Sequence, residues 1–237
     1  MRMFRTSGYD RVLLNLRVLT VELAEAVRSQ ISAAIIALEQ GKAVQDCQLQ
    51  DDVIDQLRDS IVNRSFDIMS LQQLRSQDLR WILGFQRMAQ ELERVADYAC
   101  DIAELSELKP NGNWPEDIQR MAQQLLGMTD YTLAILKEEQ EITMNLADQD
   151  DLLDHAYASF KVALAECSLT KSNDGQLGLG LVVARTLERM GDHIVNVAET
   201  LLYIQTGSKR LAAAPSVEVQ GGTVLQQTTG NGQVGSP

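Results

Sequence analysis

Twelve residues running from Glu93 to Glu104 read E-R-V-A-D-Y-A-C-D-I-A-E, and they return from Glu188 to Glu199 as E-R-M-G-D-H-I-V-N-V-A-E. Glu93, Asp97, Asp101 and Glu104 hold the same relative places as Glu188, Asp192, Asn196 and Glu199. At helical spacing these four places fall within an arc of about 80°. Each copy therefore lays a strip of oxygen-bearing side chains along one helical face. Like charges so close repel one another unless water or a cation neutralises them. A second acidic run is also written twice: Asp51-Asp52-Val53-Ile54-Asp55 returns as Asp150-Asp151-Leu152-Leu153-Asp154. Asp51 and Asp55 share a helical face, as do Asp150 and Asp154. If the helices bearing the two kinds of motif are neighbours, two carboxylate sets converge. Clustered Asp and Glu without His or Cys is a hard-oxygen donor set, which suits Mg²⁺, Mn²⁺ or iron better than a tetrahedral structural zinc. The plain alternative is a solvated surface, since repetition alone speaks for a common origin of the halves and not for catalysis.

The elements that must carry these strips are legible from apolar periodicity. Leu13, Leu16, Leu19, Leu23, Val27, Ile31, Ile35 and Leu38 recur at three- and four-residue steps, which predicts one long helix from Tyr9 to Glu39, ended by Gly41. A second helix is expected from Ala43 to Met69 and a third, carrying the first strip, from Asp78 to Leu108. Lys109-Pro110-Asn111-Gly112-Asn113-Trp114-Pro115 stops it and marks a domain border. Pro115 suits the first position of a following helix, with Glu116 and Asp117 favouring its positive end. The pattern then repeats, with helices expected over Glu116–Glu139, Asn145–Thr170 and Leu177–Thr206, the last bearing the second strip. The expected fold is all-α: two pseudo-symmetric antiparallel three-helix bundles, residues 1–109 and 116–210, joined by a linker at 110–115. Residues 211–237, rich in Gly, Gln and Thr, are expected to be a disordered tail.

Small residues repeat along with the acids. Ala89, Ala96 and Ala103 correspond to Ala184, Gly191 and Ala198, at heptad spacing just beside each strip. They would let a neighbouring helix come close and bring its own groups towards the carboxylates. His193 falls about 100° from Asp192, off the strip, and reads as structural rather than ligating. Arg94 and Arg189 read as ion-pair partners, Cys100 as packing, and Trp81 and Trp114 as core or linker packing.

Composition narrows the partners. The net charge is −12, from 33 acidic and 21 basic residues, and no basic block is present. Such a chain is a poor binder of nucleic acid and is repelled by anionic lipid. Cys47, Cys100 and Cys167 form no C-x-x-C and no disulfide framework, which fits a reducing compartment. The richest apolar stretch, Ile31 to Leu38, is too short to cross a bilayer. A soluble cytoplasmic protein without membrane insertion is expected.

Glu188-Arg189-Met190-Gly191-Asp192-His193, followed by Asn196-Val197-Ala198-Glu199, closely resembles the signature of the PhoU family, accessory regulators of bacterial phosphate uptake and phosphate signalling. The copy from Glu93 to Glu104 fits the same signature, as do Asp78-Leu79-Arg80 before it and the paired acidic segments of the middle helices. Residues 10 to 207 are covered. Ala96 stands where glycine is usual, Asp101 where Asn is usual and Leu74 where proline is usual; none of these removes a carboxylate. The resemblance implies two three-helix bundles, commonly dimeric, and a role without catalysis. It implies partners as well: the ATPase subunit of a phosphate importer and a phosphate-sensing histidine kinase, with the starvation response held off when phosphate is plentiful. Some members bind iron or zinc clusters through E/D-x-x-x-D motifs and others magnesium or manganese. The metal ligands it implies here are Asp51, Asp55, Glu93, Asp97, Asp101 and Glu104, and in the second half Asp150, Asp154, Glu188, Asp192, Asn196 and Glu199.

Other readings compete with this one. Both D-D-x-x-D runs match the Mg²⁺-diphosphate motif of all-helical isoprenoid synthases. The chain is short for that class and lacks an Arg/Lys cluster to grip a diphosphate. A ferritin-like di-iron oxidase needs Glu-x-x-His pairs, and neither His155 nor His193 has one. A helical adaptor without metal is the third alternative.

Overall fold

The computed structural model describes residues 8–41, 47–71, 74–108, 114–138, 145–169 and 175–207. Six helices account for nearly all of them: α1 (Gly8–Gln40), α2 (Cys47–Leu71), α3 (Ser76–Glu107), α4 (Glu116–Leu136), α5 (Asn145–Leu169) and α6 (Gly175–Thr206). The expected all-α fold of two antiparallel three-helix bundles is what forms, and the expected tail at 211–237 lies outside the described residues.

The helix ends follow from local chemistry. Gly41 takes a φ of 65° and its N–H reaches back to the Ala37 carbonyl at 2.8 Å, so α1 stops on a left-handed residue. Pro115 is the residue before α4 rather than its first position. Its ψ of 142° is extended, and its carbonyl accepts from the Ile118 N–H at 3.0 Å. α4 ends at Leu136, short of the expected Glu139, and its last carbonyl finds a tertiary partner. Arg17 of α1 donates to the terminal Leu136 carbonyl from both Nε, at 3.2 Å, and Nη2, at 2.8 Å, and also pairs with Glu138, which has a φ of 62°. A cation from another helix thus satisfies the exposed carbonyl end.

Within each half the last helix packs on both others, and the two halves join along α3 and α6. Gly84 of α3 lies against Ile204 and Thr200 of α6, Glu91 reaches His193 and Asn196, and Tyr98 meets Arg189. Numbers that rise on α3 as they fall on α6 make this pair antiparallel about a local pseudo-dyad. α1 packs on α4 in the same sense: Arg28 pairs with Asp130, whereas Ile35 and Leu38 meet Ile118. The cycle α1, α3, α6, α4 therefore encloses the centre of the molecule, with α2 and α5 laid on opposite outer sides. One apolar core runs through both halves, from Leu23, Val27 and Ile31 through Phe85, Met88 and Leu92 to Leu187, Met190 and Ile194. Its aliphatic make-up is what a chain with few aromatic residues must use.

The α3–α6 seam depends on Gly84. A Cβ there would stand 2.3 Å from Ile204 Cδ1, which lies inside van der Waals contact. Replacing Gly84 with Leu is expected to lower stability by roughly 1–3 kcal/mol through overpacking. Urea denaturation followed by circular dichroism checks it.

Candidate functional site

The outer helices bring the acidic runs onto the strips. α2 lies antiparallel on α3, so that Asp51 stands beside Asp97 while Arg58, further along α2, stands beside Glu93. α5 lies on α6 in the same way: Asp150 meets Gly191, Tyr157 meets Arg185 and Phe160 meets Gly180. The small residues permit this approach. A Cβ on Gly191 would fall 2.5 Å from Leu153 Cδ1 and 3.2 Å from an Asp150 carboxylate oxygen. The remaining members of the two small-residue rows, Ala89, Ala96, Ala103, Ala184 and Ala198, are all buried.

Two four-carboxylate seams result. In the first half Asp51, Asp55, Glu93 and Asp97 act on one another. Asp51 is raised above the usual range by burial and by Asp55, Asp97 and Asp52, and Glu93 by burial and Asp97. Asp97 is raised by burial, with Arg94 opposing and Asp55 and Asp101 adding. In the second half Asp150, Asp154, Glu188 and Asp192 do the same. Asp150 is pushed up from 3.8 to about 7, first by burial and then by Asp192, Asp154, Asp151 and Glu188. Asp192 is raised by burial and Asp154, against His193, Arg185 and Arg189. Glu188 is raised by burial, with Arg185 countering and Asp192 and Asp154 adding.

Each seam carries one guanidinium from the chain itself. Arg58 holds Asp55 at 2.5 Å; burial opposes its charge, but Asp55, Asp59 and Glu93 outweigh that and raise it. Arg185 holds Glu188 Oε1 at 2.5 Å while lying 5.1 Å over the Tyr157 ring. Glu188 Oε2 is buried and has no hydrogen-bond partner among the described residues. With Asp55 and Glu188 turned to their arginines, no three Asp, Glu, His or Cys side chains among the described residues form a ready-made coordination sphere. The donor set nonetheless fits a hard cation in its chemistry. It consists of carboxylates, of which Asp51, Glu93, Asp97, Asp150, Glu188 and Asp192 are raised first by burial and then by neighbouring acids, with one buried oxygen unmet.

The other ligand candidates lie elsewhere. Asp101 is raised by burial and by Glu104, so these two continue the strip towards the end of α3, beyond α2's acids. Asn196 turns across the seam between the halves, donating to Glu91 Oε2 at 3.1 Å. Glu199 is half-buried further along α6. His193 Nδ1 meets the same Glu91 oxygen at 2.7 Å, and Glu91 is lowered chiefly by that hydrogen bond. Cys100 accepts from the buried Gln30 Nε2 at 2.8 Å, which fits its reading as a packing residue. Arg58 and Arg185 could have been found from sequence, since each stands three residues from its acid. Glu91 could not, because its partners lie more than a hundred positions away.

Comparison with known proteins now decides the family. The family model described as the PhoU domain matches residues 20–106 and again 118–201. The chain belongs to the PhoU family. The match falls twice, once on each bundle, and each time it includes a strip and the acidic run facing it. A phosphate-specific transport system accessory protein PhoU homolog from Clostridium acetobutylicum is 31% identical over 167 residues, covering 68% of this chain and 76% of that protein. A homolog of the same name from Xylella fastidiosa is 29% identical over 213 residues, covering 86% of this chain and 88% of that one. Crystal structures of PhoU from Pseudomonas aeruginosa (TM-score 0.74, 24% identity, 85% of this chain and 100% of that one) and of the phosphate transport system regulatory protein PhoU from Streptococcus pneumoniae (0.75, 23%, 86% and 99%) share the fold. No helix among the described residues is long and apolar enough to cross a membrane.

The raised Asp150 sets a pH dependence. Folded, it keeps a proton up to about pH 7; unfolded, it releases that proton near its ordinary 3.8. The folded state therefore binds more protons between those values, and stability falls as pH rises through that window. In chelator-treated protein, Asp150→Asn is expected to raise stability above pH 7 by on the order of 1 kcal/mol, after discounting the solvent-screened part of the side chain, and to leave it unchanged near pH 4. Urea midpoints at the two pH values measure this.

Proposed function

We propose that this protein is a non-enzymatic accessory regulator of phosphate transport and phosphate signalling. It acts by contact, restraining a phosphate importer through its ATPase subunit and keeping a phosphate-sensing histidine kinase in its repressing state while phosphate is abundant. The observation that carries this reading is the double PhoU match, one on each bundle. The names of the relatives, accessory proteins of phosphate-specific transport, point the same way. A second copy of the chain is the expected assembly partner.

Within this reading a hard cation belongs on the carboxylate seams. Asp150, Asp154, Glu188 and Asp192 would hold it in the second half, and Asp51, Asp55, Glu93 and Asp97 in the first. The ion would supply positive charge that allows the acids to ionise together. The chain's own contribution is to fix the spacing of the donors and keep them partly dry. Arg58 and Arg185 stand guard over the same oxygens, so loading a seam requires these guanidinium groups to swing towards solvent. An acidic surface neutralised in this way also suits contact with basic partner surfaces.

Deleting the protein is expected to raise phosphate-starvation reporter expression in phosphate-replete cells and to deregulate phosphate uptake; unchanged reporter and uptake would contradict the reading. Affinity capture from replete cells is expected to recover the importer ATPase and a sensor kinase. For the cation, Mn²⁺ or Mg²⁺ at a hundredfold excess over its dissociation constant is expected to add about 2.7 kcal/mol of stability. That figure is for one occupied seam; Asp150→Asn combined with Asp192→Asn removes the second seam's share and leaves the first seam's, as read by thermal melts with and without metal.

A further inference from the structure

Between the two acidic seams, where α3 crosses α6, the same outer face carries positive charge. Arg94 and Tyr98 hold the places in the first copy that Arg189 and His193 hold in the second, so the pseudo-dyad passes among these four side chains. They meet there: the Tyr98 and His193 rings lie 5.7 Å apart, and Arg189 Nη1 donates to Tyr98 Oη at 3.4 Å. The ion pairs expected of Arg94 and Arg189 do not form among the described residues. Each guanidinium acts only at longer range on its own strip, Arg94 on Glu93 and Asp97, Arg189 on Glu188 and Asp192.

Glu91 and Arg87 have no such counterpart, because Thr186 and Val182 stand at the matching places. Glu91 Oε2 accepts from Asn196 and meets His193 Nδ1, whereas Oε1 has only Arg87 Nε, at 3.7 Å and beyond hydrogen-bond reach. Glu91, His193, Asn196 and Tyr98 are half-buried and Arg87, Arg94 and Arg189 exposed, which makes a polar floor with a cationic rim. Guanidinium forks grip tetrahedral oxyanions. A carboxylate among them repels a bare dianion but accepts from an anion that keeps an O–H. At pH 8 inorganic hydrogen phosphate keeps one. Sulfate has none, and a phosphate monoester has lost its last one above a pKa of about 6.

We propose that Arg87, Arg94 and Arg189 close over one hydrogen phosphate ion, whose O–H donates to Glu91 Oε1, at a single site per chain on the pseudo-dyad. Tyr98 steers Arg189, and His193 and Asn196 hold Glu91 in place. The same contacts keep Glu91 ionised and ready to accept. The strip acids nearby weaken the pull of net charge, so selectivity comes from the O–H. The site deepens the phosphate-regulator reading by naming a ligand, and it rests on that reading only for its purpose.

The full chain, without added metal, is titrated at pH 8 and constant ionic strength with inorganic phosphate, sulfate and phosphoserine, following the amide signals of α3 and α6 by NMR. Phosphate is expected to bind saturably at one site, at least about tenfold more tightly than the other two anions. Arg87→Gln combined with Arg94→Gln is expected to weaken phosphate at least about tenfold and to leave the helical circular dichroism unchanged. Glu91→Gln is expected to remove the preference over sulfate, since a carboxamide can donate to it. No saturable phosphate binding, or equal binding of the three anions, would overturn the proposal. So would a preference that survives Glu91→Gln, and tightest binding of phosphoserine would place a phosphorylated partner there instead. Any of these failures leaves the regulator reading standing, because reporter expression and uptake after deletion test it separately.

Discussion

Mutual repulsion of carboxylates, held together by packing on the other side of the same helices, is the constraint around which the molecule is arranged. α3 and α6 each have one face committed to the core and, beside it, a strip of acids. Leu92, Val95 and Ala99, or Leu187, Met190 and Ile194, are fully buried, so the strips cannot rotate away. The outer helices then add their own acids because Ile54 and Leu153, one residue before Asp55 and Asp154, are themselves anchored in the core. Apolar burial of this extent outweighs partly screened repulsion. Burial first, and repulsion after it, then raise six of these carboxyl groups above their usual range.

The two seams relieve the strain differently. The first takes its guanidinium from α2, where Arg58 faces Asp55 and Glu93. The second has Tyr157 in the place of Arg58 and takes Arg185 from α6, seated over that ring. Gly191 also brings α5 nearer to α6 than a residue with a side chain would allow, whereas Ala96 stands at the matching point of α3. The close approach buries Glu188, which keeps an unmet oxygen, and Asp150 beside it carries the large upward displacement, while Asp154 and Asp192 stay exposed. A pseudo-symmetric sequence has produced two sites of unequal character.

Much of this was legible in the sequence, because helical periodicity and duplication are local signals. The six helices, the strips and the small residues beside them all follow from spacing. What spacing could not reveal depended on distant partners. The partner of α4's last carbonyl, Arg17, lies more than a hundred positions away on α1. Asn196, aligned with the strip by number, turns instead to Glu91, which shares no motif with it. The halves also share one core and a long α3–α6 seam, which two self-contained runs of periodicity do not disclose.

The central claim is that the carboxylate seams hold protons that a cation would displace. It is tested most directly by isothermal titration of the chelator-treated full chain with Mn²⁺ at pH 7, repeated in buffers of different ionisation enthalpy. Asp150, held at about 7, would then be roughly half protonated. Cation binding is predicted to release a substantial fraction of a proton, and the release should fall in Asp150→Asn, which removes the group held highest. Binding with no proton release, or no binding at all, would contradict the account.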